Sequence, residues 1–120
     1  MNIPFRAAGA IGQWRFVKLT ASDVATFANA ATDTILGITQ TAAVAVNDPV
    51  DMAGPGEVSF VEAGAAFGAG VRLTCDALGR AVAAAPAAGI NNGVGAYSMQ
   101  SAAAIGDIVR VIVVPHVIQG

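Results

Sequence analysis

The sequence predicts an all-β protein, a compact β-barrel or β-sandwich of short strands with an extended N-terminal arm. Three observations carry that prediction. Glycine and proline recur too often for helix: Gly64, Gly68 and Gly70 in one alanine-rich stretch, Pro86, Gly89, Gly93 and Gly95 in the next. Alanine's high helix propensity is left only a turn or two, near residues 101–104. Short runs rich in Val, Ile, Thr and Phe sit between turn residues. One turn-then-strand pattern also occurs three times, as NDPVDM at 47–52, GAGVRL at 68–73 and GDIVRV at 106–111. In each, a permissive turn residue is followed by an inward Val, an outward charge and an inward apolar residue.

The N-terminal segment carries Ile3, Phe5, Ile11 and Trp14 among Ala and Gly. These either lie as an arm (residues 1–13) across a neighbouring subunit or cap the core of the single domain expected at 14–120. Strands are expected at residues 14–19, 35–41, 50–52, 57–62, 71–74, 80–83, 94–99 and 108–114. Alternation over 57–60 assigns Val58 and Phe60 to a core face and Glu57 and Ser59 to a wetter one. In the last strand Val109, Val111 and Val113 share one face while Ile108, Ile112 and Val114 share the other. That strand is therefore central, or its second face meets a partner. A longer echo relates 37–52 to 95–111 with one inserted residue.

Composition narrows the function. Charged residues make up 12% of the 120-residue chain, about half the usual share of roughly 25%. No apolar run reaches the ~18 residues of a helical membrane span, and the N-terminus lacks the apolar core of a secretory signal. Depleted charge without a span implies a surface largely covered by protein. The six basic residues, Arg6, Arg15, Lys18, Arg72, Arg80 and Arg110, are scattered, so no stripe exists to neutralise phosphates and no direct nucleic-acid partner is expected.

No chemistry is visible. The single Cys75 reads as a small buried apolar residue. His116 has no acidic or cysteine neighbour at ligand spacing. Asp48 and Asp51 flank Pro49 in a solvated turn, and Gly93–Val94–Gly95 lacks the third glycine and the strand-to-helix order of a dinucleotide loop. No enzyme activity, cofactor or metal is expected.

Residues 64–82 (GAAFGAGVRLTCDALGRAV), with ILGI at 35–38 and AIGDIVRV at 104–111, resemble the short capsid decoration or cement proteins of tailed bacteriophages over roughly residues 16–120. The resemblance implies a β-rich, commonly trimeric protein, made in the bacterial host cytoplasm. It would sit on the outer capsid surface of the virion, contact the major capsid protein and stabilise the expanded head. Two segments are candidate partner-binding sites: Ile3, Phe5, Ile11 and Trp14 at the N-terminus, and Pro115, His116, Val117 and Ile118 after the last strand. A carbohydrate-binding or adhesive module on the phage head is the alternative reading.

Overall fold

The structure, a computed structural model, describes residues 2–119. The described residues form ten strands and no helix: β1 (Asn2–Ala7), β2 (Phe16–Ala21), β3 (Val24–Phe27), β4 (Gly37–Thr39), β5 (Pro49–Ala53), β6 (Val58–Glu62), β7 (Arg72–Cys75), β8 (Ala81–Ala83), β9 (Asn91–Ser98) and β10 (Ile108–Gln119). β1 to β5 close into a barrel in the order β1-β3-β2-β4-β5, and β6 to β10 form a sheet in the order β6-β10-β9-β7-β8. The all-β barrel expected from the sequence is present. The turn of helix expected at 101–104 is not: the N–H groups of Ala103 and Ala104 donate to Asp107 Oδ2 at 2.9 and 3.2 Å, so a side chain takes donors that a helix would have used.

The N-terminal segment also differs from the expected arm. Asn2 to Arg6 pair antiparallel with β5, and Arg6 and Ala7 pair parallel with Val24 and Ala25. Pro4 obscured this strand in the sequence. It is tolerated because the contact with β3 begins only at Arg6, leaving Pro4 on an unpaired edge. Beyond β1, Ile11 exchanges backbone hydrogen bonds of 2.9 Å with Ala43. β3 was missed because its four residues, VATF, lack a legible alternation.

The two halves are the same module twice. β1 to β5 correspond in order to β6 to β10, and their registers match pair for pair. Phe16↔Ile38 and Ile38↔Ala53 recur as Arg72↔Tyr97 and Tyr97↔Ile112, and Pro4↔Asp51 recurs as Phe60↔Arg110. The Ile11–Ala43 bridge recurs as Phe67–Ala102. Thr39 Oγ1 donates to the Gly12 carbonyl at 2.7 Å and accepts from the Arg15 N–H; Ser98 Oγ does the same with Gly68 and Val71. The left-handed backbone positions coincide as well: Trp14, Asp23 and Asn47 in the first module are Gly70, Gly79 and Gly106 in the second. The echo between residues 37–52 and 95–111 is thus real, but Ile38 matches Tyr97, one residue from the alignment read in the sequence, and no insertion is needed.

The modules differ at one seam. In the first, the Arg6 N–H donates to the Asp23 carbonyl at 2.9 Å and closes the barrel. In the second, the corresponding groups are spread apart and residues of the first module fill the gap: Glu62 N–H donates to the Trp14 carbonyl at 3.0 Å, and Phe16 N–H donates to the Gly79 carbonyl at 2.9 Å. Just past the end of β6, the parallel bridge Ala63↔Ala81 and the Gly64 N–H, which donates to the Ala81 carbonyl at 2.7 Å, join the segment to the start of β8.

Burial follows this division. A smaller core of Ala7, Ile11, Val17, Ala43, Val50 and Met52, with Phe5, Phe27 and Leu36 against it, fills the first barrel. The larger core joins the modules: Phe16, Ala28, Ile35, Ile38 and Ala53 from the first meet Val61, Leu73, Ala96, Val111 and Val113 from the second. The turn-then-strand pattern behaves as expected, with Val50, Met52, Leu73, Val109 and Val111 buried and Arg72 and Arg110 exposed. Cys75 is buried where the modules meet. Its thiol donates to the Ala30 carbonyl at 3.1 Å, and burial pushes its pKa up to about 11.

Two measurements check this packing. A Cβ at Gly95 would stand 2.5 Å from the Phe16 ring and 2.7 Å from Ile35, so Gly95→Ala should lower stability by about 1–3 kcal/mol in urea denaturation. Cys75 should react with an alkylating reagent at pH 8 only in step with unfolding, since burial withholds both access and thiolate.

Candidate protein-docking face

The outward side of the second module exposes a group of large apolar side chains. Cross-strand register sets Arg72 of β7, Tyr97 of β9, Ile112 of β10 and Val58 of β6 in one row. Phe60 and Arg110 form the next pair, and Glu62 and Ile108 the last. Val58, Phe60 and Ile108 are exposed, while Tyr97 and Ile112 are half-buried. The opposite side of β10, Val109, Val111 and Val113, is buried. β10 is thus central in its sheet, the first of the two readings, and its second face is open in the chain.

The assignment of Val58 and Phe60 to the core is corrected. Ser59 and Val61 are buried instead, and Phe60 is 38% exposed. The inward Ser59 is tolerated because Gln40 Nε2 donates to its Oγ at 2.8 Å across the module boundary. A four-residue alternation of apolar and polar residues does not choose a face when the polar residue has a hydrogen-bond partner on the inner side.

Electrostatics order the rings on this face. The Arg110 guanidinium lies 5.9 Å from the Phe60 ring centroid, and Trp14 meets Phe60 edge-on at 5.7 Å. Arg72 sits 5.8 Å over Tyr97 and its Nε donates to the Tyr97 hydroxyl at 3.3 Å. Such cation–ring contacts contribute about 0.5–1 kcal/mol at exposed sites. Arg15 pairs with Glu62 at 3.1 Å beside Trp14. Trp14 itself holds a φ of 62°, an uncommon conformation for a bulky side chain.

The predicted partner-binding residues divide. Trp14 belongs to this face. Ile11 and Phe5 pack in or against the first barrel's core, which is the alternative in which this segment caps the domain's own core. Ile3 pairs through its backbone with Met52, and its side chain lies outside the described residues. Pro115, His116, Val117 and Ile118 fall inside β10, which runs past Pro115 by means of a register shift between Val113 and His116. His116 stacks on Tyr97 at 5.7 Å, which joins the C-terminal segment to the face. Its Nδ1 lies 2.7 Å from the Val114 carbonyl, a group that can only accept, so Nδ1 carries the proton. Its buried Nε2 has no partner among the described residues. Sequence reasoning missed Arg72, Tyr97, Val58, Phe60 and Arg110 as parts of one surface; the threefold turn-strand pattern already placed two of them outward.

A second feature lies on the first module. Lys18, Leu19, Thr32, Asp33, Thr34 and Leu36 line an open cleft. Lys18 Nζ pairs with Asp33 Oδ2 at 3.1 Å, and the same oxygen accepts from the N–H groups of Asn29 and Ala30 at 3.0 and 3.1 Å. Burial alone would raise the Asp33 carboxyl, but these bonds and the Lys18 charge outweigh it and hold the group below its ordinary value. No cluster of three or more His, Cys, Asp or Glu able to hold a metal occurs among the described residues.

No family model matches the chain, and no curated protein matches it. Among solved structures the chain is similar to the crystal structure of the head fiber gp8.5 N base in bacteriophage phi29. The identity is 18%, the alignment covers 94% of this chain and 92% of that one, and the TM-score is 0.71. At this identity the likeness establishes a shared fold over nearly the whole chain.

The Asp33 contacts give a pH test. A lowered carboxyl stabilises the fold above its ordinary value of 3.8, and that stabilisation is lost as pH falls through the lower folded value. Asp33→Asn should cost about 1–2 kcal/mol at pH 7, and the gap to wild type should close on acidification below pH 3.8.

Proposed function

We propose that the protein is a structural component of a bacteriophage head, a decoration or cement protein that binds the outer surface of the assembled capsid and stabilises it. The observation that carries this reading is the likeness to the phi29 head fiber base across 94% of the chain, on a sequence whose turn and strand motifs resemble phage decoration proteins. The chemistry of the outward face fits a protein partner. Val58, Phe60, Ile108 and Ile112 give it apolar area, each large side chain contributing about 1.5–3 kcal/mol on full burial, and Arg72, Arg110 and Glu62 give it directional polar contacts. In this reading the partners are the major capsid protein and further copies of the chain, in a homotrimer whose linked sites add avidity. A sugar platform fits less well, because Arg72 and Arg110 already lie over the Tyr97 and Phe60 rings.

Purified protein mixed with expanded capsids lacking it should co-sediment in stoichiometric amount and raise the capsid melting temperature. Absence of binding across a range of salt concentrations would overturn the proposal.

A further inference from the structure

The internal repeat supplies a template for a contact between chains. Within one chain, the first module docks on the second through the row Phe16, Ile38 and Ala53, all buried to 2% or less. The second module carries the equivalent row, Arg72, Tyr97 and Ile112, at the same register positions, and there it is open. The chain thus holds one used and one unused copy of the same docking face.

The receiving side is repeated too. On the second module the first is received by Cys75, whose thiol bonds the Ala30 carbonyl; by Gly79, bonded to Phe16; by Gly93, bonded to Ala31; and by Gly95, against the Phe16 ring and Ile35. Their counterparts on the first module are Leu19, Asp23, Thr34 and Leu36. Three of these four, Leu19, Thr34 and Leu36, line the open cleft beside Lys18 and Asp33, and Leu19 is 46% exposed.

We infer that the chain associates head to tail with a second copy of itself. The open row of one copy, Arg72, Tyr97 and Ile112 with Val58, seats on the Leu19–Thr34–Leu36 cleft of the next, continuing the contact that joins the modules within each chain. The Arg6–Asp23 seam of the receiving module stays closed, so the contact is side-chain packing without strand insertion. Two unlike patches on each copy make the interface heterologous, which is what a threefold ring requires and a twofold dimer does not. The inference rests on the repeat and not on the capsid reading; if the latter holds, this is the contact that builds its trimer.

Sedimentation of the protein alone, without capsids, tests it. Wild type at micromolar concentration should sediment above monomer mass. Tyr97→Glu, which spoils the row, and Leu19→Glu, which spoils the cleft, should each be monomeric. An equimolar mixture of the two should form a 1:1 dimer and grow no further, because one intact row still meets one intact cleft. Val58→Lys provides a second row variant, and unchanged thermal unfolding of the monomers confirms that each remains folded. A monomeric wild type, variants that assemble like wild type, or a mixture that stays monomeric would overturn the inference. Failure to bind capsids with head-to-tail assembly intact would overturn the capsid reading alone.

Discussion

The fold depends on one insertion. The second module does not close its own barrel between Glu62 and Gly79, and residues 14–16 of the first occupy that place through two backbone hydrogen bonds, Glu62 N–H to Trp14 O and Phe16 N–H to Gly79 O. An unfilled seam would leave polar backbone groups unpaired beside an apolar interior, which costs about 1–3 kcal/mol for each buried group. The same insertion delivers Phe16 into the shared core against Gly95, and sets Trp14 against Phe60 at the edge of the outward face. Core, module boundary and the edge of the outward face therefore meet in a single local arrangement. The left-handed backbone of Trp14 belongs to it as well: the equivalent Gly70 makes the same turn without a side chain and has no module to enter.

The repeat also shows how one backbone design serves different sequences. Asp48 and Asp107 occupy equivalent loops, and each accepts two N–H bonds from the residues just before it, Val44 and Ala45 in one case and Ala103 and Ala104 in the other. Asp33 builds the same kind of loop with Asn29 and Ala30. Aspartate is suited to this because its carboxylate accepts several bonds and fastens a loop locally. All three carboxylates bind backbone N–H groups, and Asp33 pairs with Lys18 as well.

Much of the fold was legible because turns and strand ends are local chemistry. The three turn-strand segments were readable from a permissive residue followed by Val, charge and apolar residue, and the two faces of β10 from simple alternation. β1 was not legible, since Pro4 interrupts the run Asn2–Ala7 and the strand is defined by its pairing with β5 and β3. The side facing the core was misread for β6, where Val58 and Phe60 alternate like core residues but the inward Ser59 is satisfied by Gln40, a partner far off in sequence. The outward face was partly legible: Trp14 and the C-terminal segment were singled out, whereas Tyr97, Arg72 and Phe60 converge only once register is known. Long-range pairing accounts for β1, β6 and the outward face, whereas β3 and the 101–104 turn were misread on local grounds, a missing alternation and the Asp107 side chain.

The unequal closure of the two barrels makes the dependence between the halves one-sided at the seam. The first module closes with its own Arg6 and Asp23, whereas the second completes its seam with Trp14 and Phe16 borrowed from its neighbour. A change at residues 14–16 therefore reaches both halves, while the Arg6–Asp23 closure draws on the first half alone.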